Sequence, residues 1–128
     1  MALSPLIKKL QLCTGLRALL LNAPGGYLES LVELPEGVRF DTQPVGQYDF
    51  VQVFIKDSLE YQRFYPEAQR AIKFDGLLWI CYPKKTGTIS SDLSRDIIWE
   101  LTRGSGLHPV TQIAIDETWS ALRFRPDE

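Results

Sequence analysis

Apolar positions in this chain occur in two patterns, and each pattern predicts a different element. Short runs in which nearly every residue is apolar predict strands that are covered on both faces. Stretches with apolar residues three or four positions apart predict amphipathic helices. The predicted strands span residues 17–21, which we expect to be central, 38–43, 48–55, 76–83, 110–115 and 119–124, and the predicted helices lie within residues 4–14, 27–34, 57–73 and 91–103.

Residues with strong positional preferences make the predicted helices more specific. Ser4 is a suitable cap for the leading helix, and Asp57 begins the third helix as an N-cap. Pro66 cannot sit in an unbroken helix, so we expect the third helix to be kinked or split. Ser90 or Ser91 should cap the last helix.

The order of these elements predicts the fold class. Strands that alternate with helices imply right-handed crossovers and a parallel sheet. The last two strands are separated by three residues, which predicts an antiparallel hairpin at one edge. We therefore expect an α/β protein, a Rossmann-like three-layer sandwich with a mostly parallel sheet, that forms a single domain over residues 1–128.

Composition and charge narrow the location and the partners. The net charge is -2 and no long basic run occurs, so no nucleic-acid partner is expected. Lys8 and Lys9 follow a short apolar stretch, which is the wrong order for a signal peptide. The most apolar run, residues 18–21, is far too short to cross a membrane. We expect a cytoplasmic protein without a membrane partner.

Few residues suggest a catalytic or metal site. Cys13 and Cys81 lie far apart in apolar surroundings, which predicts buried, reduced thiols. Asp92 and Asp96 form a carboxylate pair on one helical face, but a solvated face explains them equally well, so no metal site is predicted. His108 is the single histidine and precedes a strand, usually at the opposite end of the sheet from a ligand. No catalytic residue is predicted.

Three stretches resemble a known family over nearly the whole chain. They are LRALLLNAPGGYL at residues 16–28, QYDFVQVFI at 47–55 and IKFDGLLWICYP at 72–83. Together with the element order they resemble the class I S-adenosylmethionine-dependent methyltransferase fold, whose seventh strand is antiparallel. The chain is still more similar to a group of short bacterial proteins that share this fold and have no established activity. The resemblance implies a fold rather than a function.

The chain departs from that family at the turn after its first strand. The family has an acidic residue and a GxGxG turn there, since glycine lets the backbone approach the cofactor. Here Leu20 stands at the acidic position, Asn22 and Pro24 stand at the first two glycines, and Gly26 stands at the third. The residues that the resemblance implies for cofactor binding are Asn22, Ala23, Gly25, Gly26 and Asp41.

Asp41 is the candidate for the acidic side chain with which the family holds the ribose hydroxyls. The segment from Pro35 to Tyr48 is too short for the two strands and the helix of a full-length member. One strand-helix unit is therefore expected to be missing, which could place Asp41 on a different strand. A solvated turn residue is the alternative interpretation of Asp41.

The loop after the strand at 76–83 is a second candidate site. Its two lysines, its glycine and its hydroxyl-rich end could hold an anion, although a mobile solvated loop is an open alternative. We expect residues 22–26, 55–57 and 82–91 to converge on one crevice at the carboxyl edge of the sheet. The candidate anion-binding residues are Lys56, Tyr82, Lys84, Lys85, Ser90 and Ser91.

The positions of the three tryptophans indicate whether the chain could have a protein partner. Trp79 in a strand and Trp99 in an amphipathic helix are expected in the core. Trp119 begins the last strand and could lie at an exposed edge, where a second copy of the chain could cover it.

Two functional hypotheses follow. The altered glycine turn favours a methyltransferase-like domain that has lost productive cofactor binding and acts as a small-ligand or protein-interaction module. The alternative is a minimal methyltransferase that still binds S-adenosylmethionine as its cofactor and takes its acceptor beside the loop at Lys84.

Overall fold

The computed structural model describes residues 5–31 and 33–127, and within them one six-stranded sheet lies between two layers of helix. Ser4 and Val32, which belong to predicted helices, lie outside the described residues. The strands are β1 (Ala18–Leu21), β2 (Phe40–Asp41), β3 (Tyr48–Phe54), β4 (Ile72–Pro83), β5 (Leu107–Ala114) and β6 (Trp119–Pro126). The helices are α1 (Pro5–Lys9), α2 (Tyr27–Ser30), α3 (Ser58–Ala71) and α4 (Arg95–Thr102).

The sheet has the order β2-β1-β3-β4-β6-β5. Strands β2, β1, β3 and β4 are parallel, whereas β6 is antiparallel to both β4 and β5. This arrangement confirms the predicted Rossmann-like sheet with a C-terminal antiparallel hairpin. Strand β1, which the sequence predicts to be central, is second from one edge of the sheet. The two central strands are β3 and β4.

Each face of the sheet carries its own apolar core. On one face α3 and α4 pack against alternate residues of the strands, including Leu19, Val53 and Ile80. On the other face α1 and α2 cover residues of the opposite parity, including Phe54 and Trp79. Because both faces are buried, β1 is apolar at every position, as parallel strands require. Among the described residues, no helix combines the length and apolar character needed to cross a membrane.

Two helices differ from their predicted extents. Helix α2 is a single turn that ends at Ser30, although the apolar spacing predicts a helix to residue 34. The Ser30 hydroxyl donates a hydrogen bond to the Tyr27 carbonyl oxygen at 2.5 Å. Such local side-chain hydrogen bonds of serine to the backbone compete with the continuation of a helix. Helix α3 is continuous through Pro66, so the prediction of a split is wrong, whereas that of a kink stays a prediction. Its N-cap is Asp57, as predicted, with a carboxylate oxygen 2.9 Å from the Glu60 amide nitrogen.

The strand predicted to begin at residue 76 is longer than expected. Strand β4 starts at Ile72, directly after α3, and its pairing with β3 shifts register between Tyr48 and Phe50. Asp75 adopts a left-handed conformation (φ 56) next to Gly76, which marks a bulge rather than a turn. The predicted cap of α4 is also wrong, because Ser94 caps this helix by accepting a hydrogen bond from the Ile97 amide at 3.2 Å.

Three predicted environments are corrected by the tertiary packing. Trp79 is fully buried, as expected, but Trp99 is 51% exposed on the outer side of α4. Trp119 is only 8% exposed, because β5 rather than β6 forms the sheet edge. The Trp119 ring also packs against the Phe54 ring, with 5.0 Å between the ring centres. The predicted edge for a second copy is therefore absent at Trp119. Cys81 is buried as predicted, whereas Cys13 is exposed.

Candidate functional site

The three segments that follow β1, β3 and β4 lie along the carboxyl edge of the sheet. Residues 22–26 follow β1 and are called the elbow below. Residues 55–57 follow β3, and residues 84–91, the Lys84 loop, follow β4. The Asn22 side-chain amide bonds the Phe54 carbonyl at 2.8 Å, and Ser58 bonds Asp92 just beyond the Lys84 loop at 2.6 and 2.9 Å. The segments thus share one edge, at the switch point where open α/β sheets bind ligands.

The elbow presents exposed backbone. Gly25 and Gly26 are exposed, and a Cβ on either would meet no heavy atom within 4 Å beyond its chain neighbours. Gly26 has φ +84, a conformation that a residue with a Cβ rarely adopts. Asn22 is also left-handed, with φ 57, which asparagine tolerates better than most residues. Ala23 is half-buried and packs against the core below. The loop is therefore sharply turned and open to a ligand.

Asn22 and Glu60 form a polar pair beside the elbow. The Asn22 side-chain nitrogen donates to the Glu60 carboxylate at 3.1 Å, and the Lys56 amide donates to the same oxygen at 2.8 Å. The Lys56 ammonium lies 4.0 Å from the other carboxylate oxygen. The sequence analysis did not identify Glu60 as a site residue. Its position in the first turn of a helix that follows a buried strand is the signal that could have found it.

A buried polar cluster lies beneath the elbow. Gln52 is fully buried in β3, and its side-chain nitrogen donates to the Tyr27 hydroxyl at 2.8 Å and contacts the Cys81 sulfur at 3.5 Å. The side-chain oxygen of Gln52 has no hydrogen-bond partner among the described residues. Burial raises the pKa of the Cys81 thiol to about 12 and also raises the pKa of Tyr27. All three groups are therefore neutral at physiological pH.

Asp41 does not lie at the elbow. Its carboxylate accepts a hydrogen bond from the Tyr48 hydroxyl at 2.5 Å and lies 3.8 Å from the Arg17 guanidinium. Arg17 precedes β1 and Tyr48 begins β3, so these contacts hold Asp41 at the amino ends of those strands. Asp41 is in register with Leu19, so the remaining length of β1 separates its backbone from the other four residues of the implied cofactor set, which lie together.

The Lys84 loop borders a cavity of about 480 Å³. Four of the six candidate anion-binding residues line it, namely Lys84, Lys85, Ser90 and Ser91. Tyr82 instead lines a neighbouring cavity of about 380 Å³, and burial raises the pKa of its hydroxyl. Lys56 is in the lining of neither cavity and lies beside Glu60.

The remaining titratable candidates lie elsewhere or have other partners. His108 is near the start of β5, at the amino edge, where its Nδ1 atom lies 2.8 Å from the Asp127 carboxylate. Asp92 accepts both hydrogen bonds from Ser58, which lowers the pKa of its carboxyl group. Within residues 5–31 and 33–127, no group of three or more His, Cys, Asp and Glu side chains could hold a metal ion.

Comparison with known proteins identifies the fold. No protein-family model matches the chain. No curated protein matches it either. A SAM-dependent methyltransferase from Aquifex aeolicus is similar in structure, with a TM-score of 0.63 and 14% identity over 92% of this chain and 86% of that one. The ribosomal protein L11 methylase of Lactobacillus delbrueckii subsp. bulgaricus has a TM-score of 0.62 and 9% identity over 96% of this chain and 77% of that one.

A third similar structure is a DhpI complex with SAH, with a TM-score of 0.60 and 13% identity over 86% of this chain and 76% of that one. At such low identity the likeness concerns the backbone alone. The sheet order and these matches together show that the chain has the class I S-adenosylmethionine-dependent methyltransferase fold.

Proposed function

We propose that this chain binds S-adenosylmethionine at the elbow and acts as a minimal methyltransferase. The observation that carries the proposal is the open space at Gly25 and Gly26, where no heavy atom beyond the chain neighbours lies within 4 Å of an added Cβ. A cofactor can approach the main chain closely at such a place. The loss of two family glycines therefore does not close the elbow, which favours the catalytic hypothesis over a module without activity.

The polar residues at the elbow fit the cofactor's chemistry. Asn22 and Glu60 carry oxygens that can accept hydrogen bonds from ribose hydroxyls or from an amino group. Glu60 supplies a carboxylate from α3 in place of the acid that Leu20 replaces at the end of β1. When bound, the cofactor supplies an electrophilic methyl group on sulfur.

The chain itself needs to do little more than position two reactants. Alignment of an acceptor with the methyl group accounts for much of the rate gain in a two-substrate transfer. An acceptor that is already nucleophilic at neutral pH needs no general base. The absence of a histidine at this edge in the described residues is therefore compatible with methyl transfer.

Calorimetric titration with S-adenosylmethionine and S-adenosylhomocysteine tests the proposal. We expect saturable binding that Gly26→Trp abolishes, because the indole fills the open elbow. Gly37→Trp is the matched control, since Gly37 has φ +79 against +84 and is equally open but lies in a distant turn. Failure of both compounds to bind the wild-type chain, or equal losses in the two variants, would contradict the proposal and favour the interaction module.

A further inference from the structure

We infer that the cavity beside the Lys84 loop holds the anionic group, a phosphate or a carboxylate, of the methyl acceptor. The assignment of the anion to a methyl acceptor rests on the proposed function. The anion site itself is argued from its own contacts. The cavity has a volume of about 480 Å³, within the range of small-molecule sites.

The lining of this cavity has a distinctive charge. It contains two lysines and three hydroxyl-bearing residues but no carboxylate. Four other cavities in the protein, of about 250 to 520 Å³, each include at least one Asp or Glu in their lining. Ammonium groups and hydroxyls are donors that match the oxygens of an anion. The residues with side-chain donors are Lys84, Lys85, Thr88, Ser90 and Ser91.

The two lysines have no competing partner among the described residues. No salt bridge joins Lys84 or Lys85 to a carboxylate of residues 5–31 or 33–127. Asp96 lines the neighbouring cavity of about 380 Å³ together with Lys85. Two other carboxylates, one just beyond the loop and one in the β5-β6 turn, already accept hydrogen bonds. Asp92 accepts from Ser58, and Asp116 accepts from the backbone amides of Thr118 and Trp119 at 2.8 Å. The positive charge of the loop is therefore available to a ligand.

The loop is anchored rather than free. The Lys84 amide donates to the Thr118 carbonyl at 2.8 Å, and the Gly87 amide donates to the Lys84 carbonyl at 3.1 Å. A Cβ at Gly87 would lie 3.4 Å from Thr118, so the loop fits closely against the β5-β6 turn. Ile89 packs onto the core. These contacts preorganise the lysine backbone, which reduces the entropy lost on binding.

The cavity is also well placed relative to the elbow. Strands β1, β3 and β4 are neighbours, and adjacent strands lie about 4.8 Å apart, so β1 and β4 are roughly 10 Å apart across the sheet. Leu21 at the end of β1 is in register, through Val53, with Ile80, and β4 continues to Pro83, so the two strand ends are separated by roughly 14 Å. A small acceptor could extend from an anion at the Lys84 loop toward a methyl group held near the elbow. The carboxyl edge thus has room for two ligands side by side.

Titration of the full chain with inorganic phosphate and, separately, with acetate tests the inference by backbone amide chemical shifts. The double variant Lys84→Gln/Lys85→Gln removes both charges from the cavity. The matched control is Lys8→Gln/Lys9→Gln, which removes an adjacent exposed lysine pair from α1. We expect saturable shifts at residues 84–91, with an affinity at least about tenfold weaker in the first variant and unchanged in the control. Preference for phosphate or acetate identifies the group.

Three results would overturn the inference: shifts that do not saturate, binding that survives Lys84→Gln/Lys85→Gln, or equal weakening in the two double variants. Titration with S-adenosylhomocysteine in parallel keeps the two proposals separate. Its binding should be the same in the Lys84→Gln/Lys85→Gln variant as in the wild type. Loss of cofactor binding with retained phosphate binding would remove the methyl acceptor from the inference and leave the anion site.

Discussion

The two ends of the parallel strands differ in how their polar groups are used. At the amino edge, ionisable side chains lie in pairs. The pairs are Arg17 with Asp41 at 3.8 Å, Lys73 with Asp49 at 3.0 Å, Arg125 with Asp75 at 2.7 Å and His108 with Asp127 at 2.8 Å. At the carboxyl edge, Lys84, Lys85 and the elbow glycines face open space or a cavity.

The packing of aromatic residues at the two edges also differs. The carboxyl edge rests on a buried aromatic cluster in which Phe54 contacts the rings of Tyr27 at 4.8 Å and Trp119 at 5.0 Å. At the amino edge, Phe74 projects from the β4 bulge and is 89% exposed. The comparison indicates that side-chain pairs occupy the amino edge, whereas at the carboxyl edge the Asn22–Glu60–Lys56 and Ser58–Asp92 contacts leave Lys84, Lys85 and the elbow glycines without such partners in the described residues.

Replacing a phenylalanine by alanine at each edge should give the largest difference in the free energy of unfolding. Phe54→Ala removes a fully buried ring and is expected to lower the free energy of unfolding by about 3–5 kcal/mol. Phe74→Ala should change it by less than about 0.5 kcal/mol, because the ring is exposed. Denaturant unfolding of both variants measures the difference. Similar costs for the two would show that aromatic packing does not distinguish the edges.

A hydroxyl deletion measures the polar network of the amino edge. Tyr48→Phe keeps the buried ring but removes the hydroxyl that donates to Asp41 and accepts from the Val45 amide at 3.0 Å. We expect a loss of about 1 kcal/mol in the free energy of unfolding. Thermal and denaturant unfolding give the value. Unchanged stability would mean that the network is replaced by water without cost.

Acid should weaken the amino edge through Asp49. Hydrogen bonds from the Arg17 amide and then from Lys73 lower the pKa of this carboxyl in the folded state. A lowered folded pKa contributes stability above the unfolded pKa, and that stability is lost as the pH falls below about 4 through the folded value. Asp49→Asn should reduce the acid dependence of the unfolding free energy. An unaltered pH profile in this variant would exclude Asp49 as a source of acid sensitivity.

The smallest effect is expected for the buried polar pair under the elbow. The double variant Gln52→Leu/Tyr27→Phe removes both partners together with the unpartnered Gln52 oxygen, so stability should stay within about 1 kcal/mol of the wild type. The single variant Tyr27→Phe leaves the Gln52 nitrogen without this partner and should be less stable than the double variant. Chemical unfolding of both ranks them. A double variant that is the less stable of the two would assign the pair a structural role.

The sequence predicted the elements whose signals are local and strong. Strands β1 and β3 and the apolar part of β4 from residue 76 onward lie where the pattern predicts them, because strands buried on both faces need nearly continuous apolar sequence, and the C-terminal hairpin also forms as predicted. Asp57 was predicted as a cap from a bond that spans three residues. Such predictions succeed because each depends on residues close together in the chain.

Contacts between distant segments were decided by the fold. Trp99 lies on a helix whose pattern is amphipathic, yet only the position of α4 over the sheet leaves its ring exposed. Asp41 was assigned from the resemblance, but its place depends on Tyr48 and Arg17, seven residues ahead and 24 behind in the sequence. No periodicity could show where that carboxylate points.

The sequence by itself determined the order of strands and helices along the chain and therefore the fold class, since apolar periodicity is a property of neighbouring residues. The tertiary structure alone decided that Asn22 meets Glu60 across 38 positions and that the elbow is open at Gly25 and Gly26. The contact between Asn22 and Glu60 arises because parallel pairing brings the ends of β1 and β3 together, and that proximity exists only after the chain has folded.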